Sequence, residues 1–239
     1  MDGVAADVEM EKTVLPAVIL AYDGIAADEA GVVAEVLTNA GTPVIVAAVQ
    51  VHDVTSFHGK VRASRSADEL GPCSALIVPG GMGVRTAAAD ERLLESVRNL
   101  ASQSTWLGAT STGSVLLAAA GLANGARATT HWLAQDLLEM WGITPVDQPF
   151  VEHGRLLTAS GLGSSATLAF RLVGALHGVE AEQRARDRYR SSSTPTPPRG
   201  QRFWGWGKRR HRIVERPEPA FVDRASEVVL LDLDARSER

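Results

Sequence analysis

The residues with the clearest chemical potential lie in one segment, 106–121, which reads WLGATSTGSVLLAAAG. An apolar run stops at Ser111, and a stretch of small residues typical of a tightly packed helix begins at once. Such a strand–turn–helix elbow presents its tip side chain above the carboxyl end of a sheet, where open α/β folds bind ligands. The new helix also directs free N–H groups at that point, which makes the Thr112 N–H a candidate oxyanion donor.

A second feature is the loop Pro79-Gly80-Gly81, which follows another apolar run directly. Glycines allow the backbone to approach a ligand or a neighbouring loop closely, so this loop is a candidate for a second oxyanion donor. Taken alone, the Ser and Thr residues of the elbow are explained equally well as ordinary helix caps. The Gly-Gly loop beside the elbow favours the functional interpretation.

The pattern that must position these residues alternates short apolar runs with longer amphipathic stretches, which predicts βαβ units and a mostly parallel sheet. The spacing predicts strands at residues 14–21, 43–49, 75–78, 106–110 and 128–130. It predicts helices at residues 27–40, 90–103, 112–120, 131–141, 164–176 and 180–189. Hairpins are expected within residues 52–65 and 150–160, the second turning at Gly154.

Composition narrows the function classes. The chain has 239 residues, of which 45% are hydrophobic and 22% charged, and its net charge is -4. This balance does not favour a broad nucleic-acid or membrane surface. With one cysteine, Cys73, no intramolecular disulfide can form. The acidic N-terminus lacks the features of a signal peptide, and no apolar run is long enough to span a bilayer, so we predict a cytoplasmic protein.

We predict one α/β domain at residues 13–190, preceded by a flexible N-terminus at 1–12 and followed by a linker and C-terminal extension at 191–239. Residues 191–200 are rich in Ser, Thr and Pro, as linkers are. Residues 201–212 are basic and aromatic, and residues 228–233 form a further apolar run that predicts one late strand. A solvated or dimer-covering tail is favoured over a nucleic-acid contact for the basic stretch.

Four segments together resemble the ThiJ/PfpI superfamily: residues 22–35, 76–85, 109–121 and 128–132. The similarity is greatest to the isonitrile hydratase branch and to the sensor domains of AraC-type regulators, and residues 189–200 resemble the Pro-Pro tail of that branch. The resemblance implies a flavodoxin-like three-layer sandwich, a homodimer, a small-molecule substrate and no cofactor. No helix-turn-helix segment follows, so a regulator's DNA-binding half is not expected.

The resemblance also assigns roles. Ser111 stands where these proteins usually carry a reactive cysteine, and Glu29 matches the carboxylate that hydrogen-bonds that cysteine, with Asp28 as a rival. Gly80 and Gly81 would line the oxyanion site.

Two aromatic residues and one threonine complete the predicted site. His131 matches a histidine that lies near the pocket in some members, and the adjacent Trp132 could form a pocket wall. Protease-like members carry histidine directly after the nucleophile, where this chain has Thr112, so peptidase activity is not expected. The six histidines show no metal-ligand spacing, and we predict no metal.

The serine changes the expected chemistry, because a hydroxyl is far less acidic than a thiol and needs a positioned base. Three explanations stand: Ser111 replaces an original cysteine by design, it is native in an enzyme whose acid/base is Glu29, or the chain is a binding protein that has lost its chemistry. The leading hypothesis is a cofactor-free hydratase of the isonitrile type, in which Thr110 and Ser111 orient the substrate. The alternative is a non-catalytic ligand-binding or sensor protein.

Overall fold

Alternating strands and helices build the part of the chain that the computed structural model describes, residues 14–193. The strands within this range are β1 Ala17–Leu20, β2 Val44–Ala48, β3 Asp53–Ser56, β4 Gly59–Arg62, β5 Arg65–Ser66, β6 Cys73–Val78, β7 Ser104–Thr110, β8 Arg127–Ala128, β9 Thr144–Pro145, β10 Phe150–His153 and β11 Leu156–Ala159. The α-helices are α1 Ala27–Asn39, α2 Val84–Ala87, α3 Glu91–Gln103, α4 Gly113–Ala119, α5 Gln135–Met140, α6 Leu162–His177 and α7 Val179–Ser193.

Seven strands form the central sheet in the order β10-β11-β7-β6-β1-β2-β5. All neighbours pair in parallel except β10, which forms an antiparallel hairpin with β11. Every residue of β1 and β6 is buried, as continuous apolar runs in a parallel sheet covered on both faces should be. The predicted α/β class and mostly parallel sheet are confirmed.

The helices form two groups. Helices α1, α6 and α7 pack on one another, with α1 against β1 and β2 and α6 against β7 and β11. Helices α3 and α4 pack together against β6 and β7, and α2 and α5 extend that group. Helices therefore cover both faces of the sheet, as in a flavodoxin-like sandwich. No helix within residues 14–193 is both long and apolar enough to cross a bilayer.

Both predicted hairpins are present, as β3–β4 and β10–β11, and Gly154 turns the second with φ +59°. The expected strand at 128–130 is wrong in its extent and its sheet. It is the short β8, which pairs with β9 in a separate two-stranded sheet. Thr129 and Thr130 lie beyond it because they bond to Thr158 and Ser111 instead of to a neighbouring strand.

The single helix expected at 131–141 is also wrong. A 3-10 turn at Trp132–Ala134 comes first, and α5 begins at Gln135. Ala134, at φ -122° and ψ 11°, has non-helical backbone and separates the two. At the other end of the chain, α7 runs to Ser193, three residues into the predicted linker. The predictions for residues 1–12, 201–212 and 228–233 lie outside the described residues.

The candidate site lies at the carboxyl ends of four strands of the central sheet, β1, β6, β7 and β11. Helices α1, α4 and α6 begin at the same end. Helix α4 approaches the end of β6 so closely that a Cβ on Gly113 would lie 1.9 Å from the Val78 carbonyl oxygen. Glycine at this position is therefore a packing requirement of the elbow.

Gly113→Ala should lower the free energy of unfolding by about 3 kcal/mol, since the added methyl meets rigid backbone. For a domain of this size that is a fall of roughly 10 °C in Tm, measured by calorimetry. Gly163→Ala is the matched control, because nothing lies within 4 Å of a Cβ at Gly163 on α6. Its Tm should stay unchanged or rise, since alanine is the better helix former. Equal Tm values for the two variants would contradict the packing argument.

Candidate active site

The elbow is built on a strained residue. Ser111 has φ +49°, and among the described residues it is the one non-glycine with a positive φ. Its N–H donates to the Ala159 carbonyl at 2.7 Å. Its own carbonyl accepts from the hydroxyls of Ser114 and Thr130, both at 3.0 Å. These bonds hold a backbone conformation that L-residues otherwise avoid, so the sharp turn expected from the sequence is present.

The Gly-Gly loop lies directly against the elbow. A Cβ on Gly80 would be 2.7 Å from the Ser111 Cβ, so glycine is needed for this approach. The Thr112 hydroxyl accepts from the Gly81 N–H at 3.0 Å and lies 3.2 Å from the Gly81 carbonyl. The Gly81 N–H is therefore already used and is not a free oxyanion donor. No hydrogen bond within residues 14–193 uses the Thr112 N–H.

Tyr22 holds the Gly-Gly loop in place through a hydrogen bond. It is not among the site residues predicted from the sequence. It lies two residues after the end of β1, is buried, and donates its hydroxyl to the Pro79 carbonyl at 2.9 Å. Burial raises the pKa of the Tyr22 phenol, and the nearby Glu29 charge adds to the effect, so the hydroxyl stays protonated as a donor. A polar residue shortly after a buried strand is the sequence signal that could have identified it.

Glu29 is the carboxylate of the site. It lies in the first turn of α1, is 7% exposed, and accepts a hydrogen bond on Oε2 from the Thr110 hydroxyl at 2.6 Å. Asp28 is partly exposed and turns back on its own helix, where its Oδ1 accepts from the Glu29 N–H at 3.0 Å. Of the two candidates, Glu29 is therefore the one that faces the elbow.

Burial raises the pKa of the Glu29 carboxyl, because the charged form loses water, and the Asp28 charge acts in the same direction. Hydrogen bonds oppose this shift: the one from Thr110 has the largest opposing effect, followed by those from the Gly80 N–H and the Ser111 hydroxyl. The net direction is upward, so Glu29 keeps its proton to higher pH than an ordinary glutamate. A carboxyl of this kind can give a proton and take it back.

The structure does not bring the predicted histidine to the serine. His131 caps the following turn, with Nδ1 accepting from the Leu133 N–H at 3.3 Å. None of the hydrogen bonds among residues 14–193 joins His131 to Ser111 or Glu29. Thr130, one residue earlier, is the one that reaches the elbow.

The sequence also predicts that Trp132 and Thr110 contact the substrate. Trp132 is 70% exposed and contacts the His131 ring at 5.7 Å between centroids, so it lies at the surface. Thr110 is fully buried behind Glu29, and its hydroxyl is engaged there. Within the described residues, the contact that the structure shows for the Thr110 hydroxyl is the one with the Glu29 carboxyl.

Two surface grooves, of about 330 and 320 Å³, lie away from this site. One runs between α3 and the 3-10 turn at Ala67–Glu69, and the other between α1 and α7. Neither is lined by Ser111 or Glu29. Within the described part of the chain, no three His, Cys, Asp or Glu residues are grouped closely enough to hold a metal ion.

Comparison with known proteins places this geometry in a family. A model of the DJ-1/PfpI family matches residues 16–175. The isonitrile hydratase of Pseudomonas putida is 36% identical over 143 residues, covering 56% of this chain and 63% of that protein. The HTH-type transcriptional regulator CdhR of Pseudomonas aeruginosa is 38% identical over 90 residues, covering 37% and 27%. The chain thus matches less than two thirds of the length of either relative.

Solved structures show the same fold. A THiJ/PfpI family protein from Pseudomonas syringae superimposes with a TM-score of 0.70 at 23% identity, covering 83% of this chain and 84% of that one. DJ-1beta of Drosophila melanogaster superimposes with a TM-score of 0.67 at 22% identity, covering 74% and 97%. At these identities the likeness establishes the fold.

The raised pKa of Glu29 predicts a pH-dependent stability difference. A group whose pKa is raised by folding contributes stability that is complete below its unfolded pKa and is lost as pH rises through its folded pKa. Glu29→Gln is neutral at every pH and escapes that loss, while its amide oxygen can still accept from Thr110. The gain in Tm of Glu29→Gln over the natural chain should be larger at about pH 8 than at about pH 4.

Calorimetry at the two pH values checks this, with Glu35→Gln on the exposed side of α1 as the control. The Tm difference between Glu35→Gln and the natural chain should be the same at both pH values. A Tm difference for Glu29→Gln that narrows as pH rises would contradict the upward direction of the shift.

Proposed function

The chain belongs to the DJ-1/PfpI family, and we propose that it is a cofactor-free enzyme that hydrates isonitriles to N-substituted formamides. Sequence similarity to an isonitrile hydratase supports the substrate class. The observation that carries the proposal is the buried Glu29, whose carboxyl lies at the elbow beside Ser111 and Gly80 and whose pKa is raised by burial. Hydration of an isonitrile needs one proton donor that becomes a proton acceptor within the same turnover, which is what this carboxyl can do.

The proposed reaction proceeds at the terminal carbon of the isonitrile, which bears a lone pair. Glu29 transfers its proton to that carbon and becomes a carboxylate, which leaves an electrophilic nitrilium carbon. Water adds to the same carbon and its surplus proton returns to Glu29. The resulting imidic acid tautomerises to the formamide, so R–NC and H₂O give R–NH–CHO and Glu29 ends as it began.

Ser111 acts in this proposal as a hydrogen-bonding group that orients water or substrate. A serine nucleophile requires a base within hydrogen-bonding distance, usually a histidine held by a third group. Here the neighbour of Ser111 is a carboxyl whose pKa is raised by burial, and His131 is bonded elsewhere. The Thr112 N–H is a backbone donor available to the oxygen of the water that adds to the nitrilium carbon.

Turnover of a simple isonitrile tests the proposal. The natural chain, with serine at the elbow, should form the formamide. Glu29→Gln should lower kcat about 10²- to 10⁴-fold, the range that general acid–base groups contribute. Glu35→Gln is the matched control, because Glu35 is exposed on the same helix, and its rate should stay close to that of the natural chain.

Two other outcomes would contradict the proposal in distinct ways. Activity that appears only in Ser111→Cys would indicate a cysteine enzyme that has lost its nucleophile. Absence of formamide in the natural chain, Glu29→Gln and Ser111→Cys would exclude isonitrile hydration. Binding of an isonitrile without turnover would then favour a ligand-binding or sensor protein.

We further propose that the protein is a cytoplasmic homodimer. Two large apolar side chains flank the site in full contact with solvent: Phe57 is 87% exposed and Met82 is 89% exposed. Phe57 follows Ser56, and Met82 follows Gly81. Ser56 and Gly81 each form an isolated β-bridge with Ile25. Exposed apolar groups gathered on one side of a molecule are typical of a protein–protein contact.

Light scattering coupled to size-exclusion chromatography should give twice the chain mass. The double variant Phe57→Ser, Met82→Gln should shift the mass towards the monomer at micromolar concentration. Val179→Ser removes an equally exposed apolar side chain on α7 and should leave the mass unchanged. A monomeric natural chain at tens of micromolar would contradict the dimer.

A further inference from the structure

We infer that Thr110 is a positioning residue that fixes the proton of Glu29 on one oxygen, Oε1. This inference rests on the proposed use of Glu29 as an acid. The two side chains meet at 2.6 Å between Thr110 Oγ1 and Glu29 Oε2. Thr110 is fully buried and Glu29 is 7% exposed, so water does not compete for this bond.

The direction of the bond follows from the number of partners. The Thr110 hydroxyl has one proton, and among the described residues Glu29 is the partner of its oxygen. If the hydroxyl accepted from a protonated Oε2, its own proton would be buried without an acceptor, which is unfavourable. Thr110 therefore donates, and Oε2 must be an unprotonated acceptor in both charge states of Glu29. When the carboxyl is neutral, its proton lies on Oε1.

Oε1 lies towards the turn from β11 into α6. A Cβ on Gly161 would lie 3.8 Å from Oε1, and it is the one contact within 4 Å that such an atom would make. Gly161 is partly exposed and lies where β11 turns into α6, so no side chain at that position covers the oxygen. The acidic proton is thus held on the oxygen that lies nearest Gly161.

The identity of the residue also matters. Thr110 is the last residue of β7, pairs with Ala159 of β11, and sits at the position directly before the elbow. A β-branched side chain has restricted χ1 rotation in a strand, so the hydroxyl keeps its direction. Valine has nearly the same shape without the hydroxyl, whereas serine keeps the hydroxyl with less restriction.

Thr110→Val and Thr110→Ser test the inference, with the Glu29 carboxyl followed by ¹³C NMR as a function of pH in the full chain. Loss of the donor removes a bond that favours the charged form, so the Glu29 pKa should rise in Thr110→Val and return towards the natural value in Thr110→Ser. If Thr110→Val does not fold, Thr110→Ala removes the same donor without a branched side chain and should show the same rise.

Turnover gives a second readout. The fall of kcat/KM with rising pH reports the protonated Glu29 of the free enzyme, so this limb should move to higher pH in Thr110→Val. The maximal kcat should fall roughly 10- to 100-fold, because the proton is no longer confined to Oε1. Thr110→Ser should recover most of the rate.

The outcomes separate the two proposals. An unchanged Glu29 pKa in Thr110→Val, with isonitrile turnover intact, would overturn the positioning role and leave the hydratase standing. A raised pKa in a protein that hydrates no isonitrile would support the positioning role and overturn the hydratase. A Thr110→Ser variant whose Glu29 behaves as in Thr110→Val would also overturn the positioning role.

Discussion

The burial of one carboxyl, Glu29, is the constraint on which the rest of the site depends. A carboxylate removed from water without compensation is strongly disfavoured, so the group must either keep its proton or gain donors. The protein does both in part: burial favours the neutral form, and the Thr110 hydroxyl supplies one donor at 2.6 Å. The balance leaves a carboxyl whose proton is retained but can be transferred, which is the property that acid/base chemistry requires.

The Glu29 carboxyl can lie beside the elbow only if the backbone of the elbow packs closely against the backbone of the loop after β6. Four strands have their carboxyl ends at the site. There, the elbow between β7 and α4 lies so close to the end of β6 and the loop after it that neither Gly80 nor Gly113 could carry a Cβ. Hydrogen bonds from Ser114 and Thr130 hold the positive φ of Ser111. Tyr22 fixes the opposing loop through the Pro79 carbonyl. The strained elbow is thus maintained by bonds from elements far apart in the chain.

The sequence predicts most of the fold because strand runs and helix periodicity are local patterns. The elbow and the Gly-Gly loop were likewise identified by residue type and order. The Thr110–Glu29 pair joins residues 81 positions apart, and no local pattern reports such a contact. His131 was misplaced for the same reason: its neighbour Thr130 bonds to the elbow, and the ring instead caps the next turn. The long helix expected at 131–141 fails where Ala134 leaves helical geometry.

Serine at the elbow is compatible with this arrangement, because the proposed reacting proton belongs to Glu29. Infrared spectra of the natural chain and of Glu29→Gln are recorded as a function of pH. Subtracting the variant's spectrum from that of the natural chain isolates the C=O stretch of the protonated Glu29 carboxyl. The account predicts that this band is half lost at a pH above the ordinary glutamate pKa of about 4.3. A midpoint at or below that value would show a carboxylate that is ionised throughout the working range, and would contradict the central claim.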